Sequence, residues 1–192
     1  MNNKDLTKKY WHYYLLLEKR FLSTIDYVEI DRRNYSCFSN EYALLIQAVG
    51  SELDCFFKEY CGINKDTRAS IKDYATIILA DYPDIVSQVI TIQNTKLLLQ
   101  PFNNWDVNQA AKSLKWWTAF DLLKHNRYDN FSKANLENVL NTLSALYLME
   151  MKYYMKNAQP AEPNIPEKSS DLFELVGWKA NAIPMKNALA LI

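Results

Sequence analysis

The sequence predicts an all-α protein: an up-and-down bundle of about five helices, with a small inserted β-hairpin at about 86–100 and a C-terminal appendage. Gly and Pro are scarce, at 3 and 6 of 192 residues, which disfavours a turn-rich β fold. Apolar residues recur at helical spacing over long stretches. A single stretch rich in β-branched residues interrupts this pattern and indicates the hairpin.

The composition bounds the class of protein. With 49% hydrophobic and 23% charged residues, the chain has the make-up of one globular domain. The 22 basic and 22 acidic residues cancel, so any contact with RNA must be local and no DNA specificity is evident. The three cysteines have no metal-like spacing, and we expect no metal and no cofactor. Reduced thiols and the lack of a membrane-length apolar run predict a cytoplasmic protein with no membrane partner.

Two helices are predicted in the first third of the chain. The first runs from about Leu6 to Ile30 on one apolar stripe. The second starts at Ser39 or Asn40, both good N-caps, and Gly62 is placed to end it. A glycine inside this helix, Gly50, costs about 1 kcal/mol relative to Ala and suggests the close approach of another backbone.

The hairpin separates these helices from three more. A third helix at about 67–81 precedes "IVSQVITIQNTKLLLQPF", in which the polar Gln93-Asn94-Thr95 predicts the turn. The fourth is expected at about 108–124 and the fifth, the central core helix, at about 133–155. For the fifth, Ser132 is the predicted N-cap and Phe131 the staple onto Leu136.

Three regions follow from these elements. We assign residues 1–156 to the bundle, with the hairpin insertion at 84–104. Residues 157–170 hold three prolines and read as a linker. Residues 171–192 regain apolar character and are expected to dock on the body as a short strand or helix, or to reach a partner.

Two carboxylates break the apolar faces of the first two helices. Glu18 and Glu52 are each flanked one turn before and after by apolar residues. A buried carboxylate is costly unless it is paired and hydrogen-bonded. We therefore expect Glu52, and as a second case Glu18, to face a cation.

The candidate cations lie in "WWTAFDLLKHNRYDNF". Its candidate site residues are Trp116, Trp117, Lys124, His125, Asn126 and Arg127. We predict that Lys124, His125 or Arg127 meets the two carboxylates, since a guanidinium entering a core can bind a carboxylate bidentately. A polar clasp between packed helices is the preferred interpretation, and a catalytic centre is the alternative. The two tryptophans are read first as core aromatics and second as a ligand-stacking platform.

Three stretches resemble the HEPN superfamily, specifically a group of uncharacterised bacterial proteins of this kind. They are "NYSCFSNEYALLIQAVGSELDCFFKEYCG", "LLLQPFNNW" and "LKWWTAFDLLKHNRYDNFSKANLENVLNTLSALYLME". The resemblance implies a helical bundle that often dimerises; relatives are ribonuclease toxins, phage-defence components or inactive RNA-binding modules. Active members carry an Arg, four to six residues and then a His on one helix. No Arg precedes His125 at that spacing, and Arg127 follows it instead.

Three functional hypotheses follow. The first is an HEPN-like homodimeric module that binds RNA or a partner protein in stress or phage defence. The second is a metal-independent endoribonuclease toxin, with His125 as acid and base, Arg127 and Lys124 on phosphate, and Glu52 orienting the His. Trp116, Trp117 and Asn126 are the candidate binding residues of this site. The third is a small-ligand-binding helical domain lined by Tyr and Trp, which requires a well-formed apolar pocket.

Overall fold

The computed structural model describes residues 3–64, 66–158 and 166–178. Its helices are α1 (Asn3–Leu6), α2 (His12–Leu22), α3 (Asn40–Cys61), α4 (Ile71–Asp81), α5 (Ala110–Ser113), α6 (Lys115–Asn126) and α7 (Leu136–Asn157). Its strands are β1 (Ile90–Ile92), β2 (Leu98–Leu99) and β3 (Phe173–Leu175). The prediction of a mostly helical chain with one small hairpin is confirmed, and the up-and-down order of five helices stays a prediction.

The N-terminal helical segment is shorter than predicted. A π-helical turn, Thr7–Trp11, joins α1 to α2, and regular helix ends at Leu22 rather than near residue 30. The Ser23 and Thr24 hydroxyls donate to backbone carbonyls three residues earlier, at 2.7 Å each. Such local bonds compete with helix continuation, and the chain turns away there.

The bounds predicted for α3 are confirmed. Ser39 caps its first turn by accepting a hydrogen bond from the Tyr42 N–H at 3.1 Å. Gly62 ends it in the left-handed region, at φ +65°. Inside the helix, Gly50 lies directly against the ring of Phe120 on α6. The close approach predicted at this glycine is therefore made by an aromatic side chain and not by a backbone.

The α7 helix is buried on nearly all sides and packs most extensively against α3, which confirms it as the central core helix. Its predicted N-cap is wrong. Asn135, not Ser132, accepts the capping hydrogen bond, from the Asn138 N–H at 3.0 Å. The reason is that Phe131–Lys133 form a separate 3₁₀ turn, in which the Phe131 ring packs edge-on against Phe38 at 5.3 Å between centroids.

The hairpin gains a third strand from the far end of the chain. β1 pairs antiparallel with β2 through Ile90↔Leu99, and Asn94 in the connecting turn has φ +59°. On its other edge β1 pairs with β3 through Ile90↔Leu175. A short C-terminal strand, Phe173–Leu175, thus docks on the hairpin. Of the predicted linker (157–170) and C-terminal segment (171–192), residues 159–165 and 179–192 lie outside the described residues.

The predicted fourth helix is divided in two. α5 ends at Ser113, and Leu114 takes an extended conformation before α6 begins at Lys115. This break lets Leu114, Trp116 and Trp117 all enter the core, with at most 8% of each residue exposed. The α6 helix keeps Ala119, Phe120 and Leu123 in the core and ends at the cation cluster.

Candidate functional site

The cation cluster lies at the C-terminal end of α6. Lys124 and His125 occupy its last turn, Asn126 closes it and Arg127 is the C-cap, and all four are exposed. Cations at this position interact favourably with the negative end of the helix dipole. Because its side chains are exposed, the cluster is not sealed in the core.

Each basic side chain of the cluster has a local contact. Lys124 Nζ lies 5.6 Å from the Phe120 ring centroid, and Arg127 Cζ lies 5.7 Å from that of Phe131. His125 Nε2 lies 3.4 Å from Asp121 Oδ1, one helical turn back, with both side chains more than half exposed. Such solvated contacts stabilise weakly and leave the charges accessible to a ligand.

The predicted ion pairs of Glu18 and Glu52 with these cations are wrong. Among the described residues, no ion pair joins either carboxylate to Lys124, His125 or Arg127. Glu52 is half-buried, and its pKa is raised by burial alone. Glu52 is therefore not placed to orient His125; the carboxylate beside that imidazole belongs to Asp121.

Glu18 is buried as predicted, with 2% of its surface exposed, but its partners are neutral donors. Its carboxylate accepts from the Ser170 hydroxyl at 2.9 and 3.0 Å and from the Asp171 N–H at 3.0 Å. Burial raises the Glu18 pKa, and the hydrogen bond from Ser170 opposes that rise. This carboxylate fastens the C-terminal segment to α2.

The two tryptophans serve the core. Trp116 and Trp117 are 3% and 8% exposed. Trp116 Nε1 donates a buried hydrogen bond to the Pro101 carbonyl at 2.6 Å. Trp117 packs against the Phe57 and Phe120 rings. A base-stacking platform needs an exposed ring face, which neither residue offers in this structure.

Sequence reasoning missed one exposed aromatic residue. Tyr128 follows Arg127 directly and is 87% exposed. Tyr128 lies inside a hydrogen-bonded turn, in which Asn130 donates to the Asn126 carbonyl, and its ring is left uncovered. An aromatic residue inside a run of cations was visible in "KHNRY" and could have been singled out.

A third core carboxylate was also missed. Glu150 on α7 is fully buried, and neither of its carboxylate oxygens has a hydrogen-bond partner among the described residues. Burial, and secondarily the charge of Glu52, raise its pKa well above the usual value, so Glu150 is a neutral acid. It follows Leu146 and Tyr147 at four- and three-residue spacing, which is the signal that identified Glu18.

Tyr10 and Glu52 lie near Glu150. Burial, and then the charges of nearby carboxylates, raise the pKa of Tyr10 to about 12. Among the residues that the structure describes, no group of three or more His, Cys, Asp or Glu side chains is arranged to hold a metal ion. Glu150 has no exposed surface in this structure.

No described helix is both long and apolar enough to cross a membrane. Comparison with protein-family models, with curated proteins and with solved structures gave no match to this chain.

Proposed function

We propose that this chain is a non-catalytic binding module that holds single-stranded RNA at the C-terminal end of α6. One observation carries the proposal: Lys124, Arg127 and Tyr128 are all exposed within five consecutive residues at the end of α6. Proteins that bind single strands combine cations for the phosphates with an aromatic face for a base. We call Lys124, His125, Arg127 and Tyr128 the α6 patch.

Local charges set the strength expected of this site. The net charge of zero provides no long-range attraction for a polyanion. Asp121 beside His125 and Asp129 bonded to Asn126 bring negative charge to the edge of the α6 patch. The site therefore engages few phosphates, and its affinity should depend only modestly on salt.

Fluorescence anisotropy of a labelled RNA strand of roughly ten nucleotides tests the cations. We expect Lys124→Ala/Arg127→Ala to weaken binding and to lower the salt slope by about 0.7 for each phosphate that the variant no longer neutralises. The matched control is Lys8→Ala/Lys9→Ala, which removes two exposed lysines from the other end of the chain. Equal affinity of the two double variants would refute the α6 patch as the site.

The proposed stacking of a base on Tyr128 is tested with a second pair of variants, one at Tyr128 and a control at Tyr27. Tyr128 and Tyr27 are 87% and 89% exposed, and Tyr27 lies outside the α6 patch. We expect Tyr128→Ala to weaken RNA binding about fivefold or more, since stacking on one aromatic ring contributes about 1–3 kcal/mol. Tyr27→Ala should leave the affinity unchanged.

One observation favours ribonuclease activity as a second candidate: the Asp121 carboxylate beside His125, at 3.4 Å. A carboxylate can orient an imidazole for proton transfer to and from a ribose hydroxyl. Incubating the same RNA with the protein and separating the products by gel tests this. Cleavage that disappears in His125→Ala would establish the enzyme and overturn the non-catalytic proposal.

We also propose that the module is a homodimer, as the resemblance to the HEPN superfamily implies. An exposed apolar groove between α2 and α3 supports this, with Leu16 59%, Leu44 53% and Tyr13 39% exposed. Sedimentation should show that Leu16→Glu dissociates the dimer. Leu98→Glu, at an equally exposed leucine on β2, should not. A monomeric wild-type protein at micromolar concentration would contradict this part.

The cellular setting belongs to the same proposal. The cysteines form no disulfide among the described residues, which suits a reducing compartment and supports a cytoplasmic location. The resemblance to the HEPN superfamily supports a role in stress or phage defence. Growth of a host that expresses the protein, with and without phage challenge, tests that role.

A further inference from the structure

An exposed phenylalanine, Phe38, borders the α6 patch. It lies in the loop before α3, and its ring packs edge-on against Phe131 at 5.3 Å between centroids. Arg127 of the α6 patch packs against the same Phe131 ring, with its Cζ 5.7 Å from the centroid. Phe131 thus joins Phe38 to the α6 patch through two short contacts.

Backbone pairing fixes the position of Phe38. The residue forms an isolated antiparallel bridge with Asn135, the N-cap of α7. Its neighbour Ser39 donates its N–H to the Ala134 carbonyl at 3.1 Å. Because the loop is tied to the start of α7 in this way, the Phe38 ring stands against Phe131 before a ligand binds. A preorganised side chain costs a ligand less conformational entropy than a mobile one.

The Phe38 side chain keeps a large uncovered surface. The planes of the Phe38 and Phe131 rings meet at 78°, so their contact is an edge-to-face one. In all, 52% of Phe38 is exposed, whereas the two tryptophans of α6 are at most 8% exposed. Phe38 therefore meets the condition that Trp116 and Trp117 do not, an accessible ring on which a base can stack.

Two exposed cations accompany the phenylalanines. Arg32 lies in the loop that carries Phe38, and Lys133 lies in the same 3₁₀ turn as Phe131. Among the residues that the structure describes, neither cation forms an ion pair. The exposed Glu137, in the first turn of α7, adds one negative charge to this region. A partner that is only apolar would desolvate the cations without pairing them, whereas phosphate oxygens pair with them.

We propose that Phe38 is a second base-stacking platform for the single-stranded RNA held at the α6 patch. One base stacks on Tyr128 and another on Phe38, and the backbone between them passes Arg127. The second platform rests on the RNA binding proposed for the α6 patch, and it adds a path for the strand from the end of α6 towards the loop before α3. Because every base can stack on an aromatic ring, Phe38 adds affinity without adding a sequence preference.

Fluorescence anisotropy with the same RNA strand of roughly ten nucleotides tests Phe38. Phe38→Leu keeps apolar packing on Phe131 and removes the ring, so binding should weaken about fivefold or more. Phe38→Trp enlarges the ring and should bind at least as tightly as the wild type. The matched control is Leu98→Ala, which truncates a 55% exposed apolar residue on β2 and should leave the affinity unchanged.

A strand of the same length that carries no bases separates stacking from a structural effect. Such a strand offers its phosphates alone, so the wild type and Phe38→Leu should bind it with equal affinity. If Phe38→Leu weakens binding of the two strands by the same factor, the ring acts on the fold and not on a base, and the second platform is overturned. Circular dichroism checks that each variant is folded.

Failure of the second platform and failure of RNA binding at the α6 patch give different results. If the wild type binds no RNA, both are overturned. If Tyr128→Ala weakens binding and folded Phe38→Leu does not, the α6 patch stands and the second platform alone is overturned. Two platforms for two bases also require the double variant Tyr128→Ala/Phe38→Leu to bind more weakly than either single variant. A double variant that binds as well as Tyr128→Ala would exclude a second base on Phe38.

Discussion

Gly50 of α3 lies against the aromatic ring of Phe120 of α6, in contact so close that a β-carbon at Gly50 would overlap three carbons of that ring. The two helices approach at this point more closely than a side chain on α3 allows. Phe120 also packs edge-on against Trp117 at 5.4 Å between centroids, so the ring has little freedom to move aside.

Replacing Gly50 with Ala should therefore destabilise the protein. Overpacking a core costs about 1–3 kcal/mol, and the gain of about 1 kcal/mol in helix propensity offsets only part of it. Urea denaturation should show a lower midpoint with an unchanged slope. Gly50→Ala should cost less stability in a protein that already carries Phe120→Leu than it costs in the wild type, because the smaller leucine leaves room for the new methyl group. A Gly50→Ala variant as stable as wild type would contradict the close packing.

Local chemistry explains which parts of this fold could be predicted. Both ends of α3 could be predicted because their causes are local. The Ser39 side-chain oxygen caps the first turn, and Gly62 takes the left-handed backbone conformation that ends the helix. The hairpin follows from β-branched residues around a polar turn. The second partner of β1 could not be found in this way, because β3 lies more than seventy residues downstream and spans three residues.

The same limit applies to the candidate site. Helical spacing correctly indicated that Glu18 is buried, but its partner Ser170 lies 152 residues away, in a stretch whose composition reads as linker. Spacing also placed the cations at the end of α6, without indicating that the helix directs them into solvent. Whether a polar residue meets a carboxylate or water depends on tertiary packing, which periodicity does not encode.

Glu150 makes stability depend on pH. Its native pKa lies well above the ordinary value of 4.5, so the native state keeps a proton that the unfolded chain has lost. The stabilisation from this group should therefore be fully present below about pH 4.5. It should be lost as the pH rises towards the native pKa, by at most about 1.4 kcal/mol per pH unit. Glu18 and Glu52, whose pKa values are also raised, act in the same direction.

Glu150→Gln replaces the neutral acid with a neutral amide of similar size. We expect it to flatten the fall in stability between about pH 5 and pH 8, measured by chemical denaturation at several pH values. The control is Glu137→Gln, at an exposed carboxylate in the first turn of the same helix. If Glu150→Gln keeps the wild-type pH profile, the neutral state assigned to Glu150 is wrong.

Ser170 should be needed to hold the C-terminal strand on the body. Ser170→Ala removes the hydroxyl donor to Glu18 and the acceptor for the Phe173 N–H, which leaves buried polar groups with fewer partners. We expect a loss of about 1–3 kcal/mol. Faster hydrogen exchange at the Phe173–Leu175 amides would report release of β3. Its neighbour Ser169 is exposed, so Ser169→Ala should change neither quantity.

Replacing each of the adjacent tryptophans of α6 with phenylalanine should lower the stability of the protein by different amounts. Both side chains are buried, so either substitution removes a similar apolar volume. Trp116→Phe additionally leaves the Pro101 carbonyl without the indole N–H that lies 2.6 Å away in the core. Trp117 contributes ring contacts to Phe57 and Phe120, which a phenylalanine partly keeps. Thermal unfolding should therefore show Trp116→Phe to be less stable than Trp117→Phe by about 1–2 kcal/mol. Equal destabilisation would mean that packing alone, and not the hydrogen bond to the loop before α5, determines how much Trp116 stabilises the core.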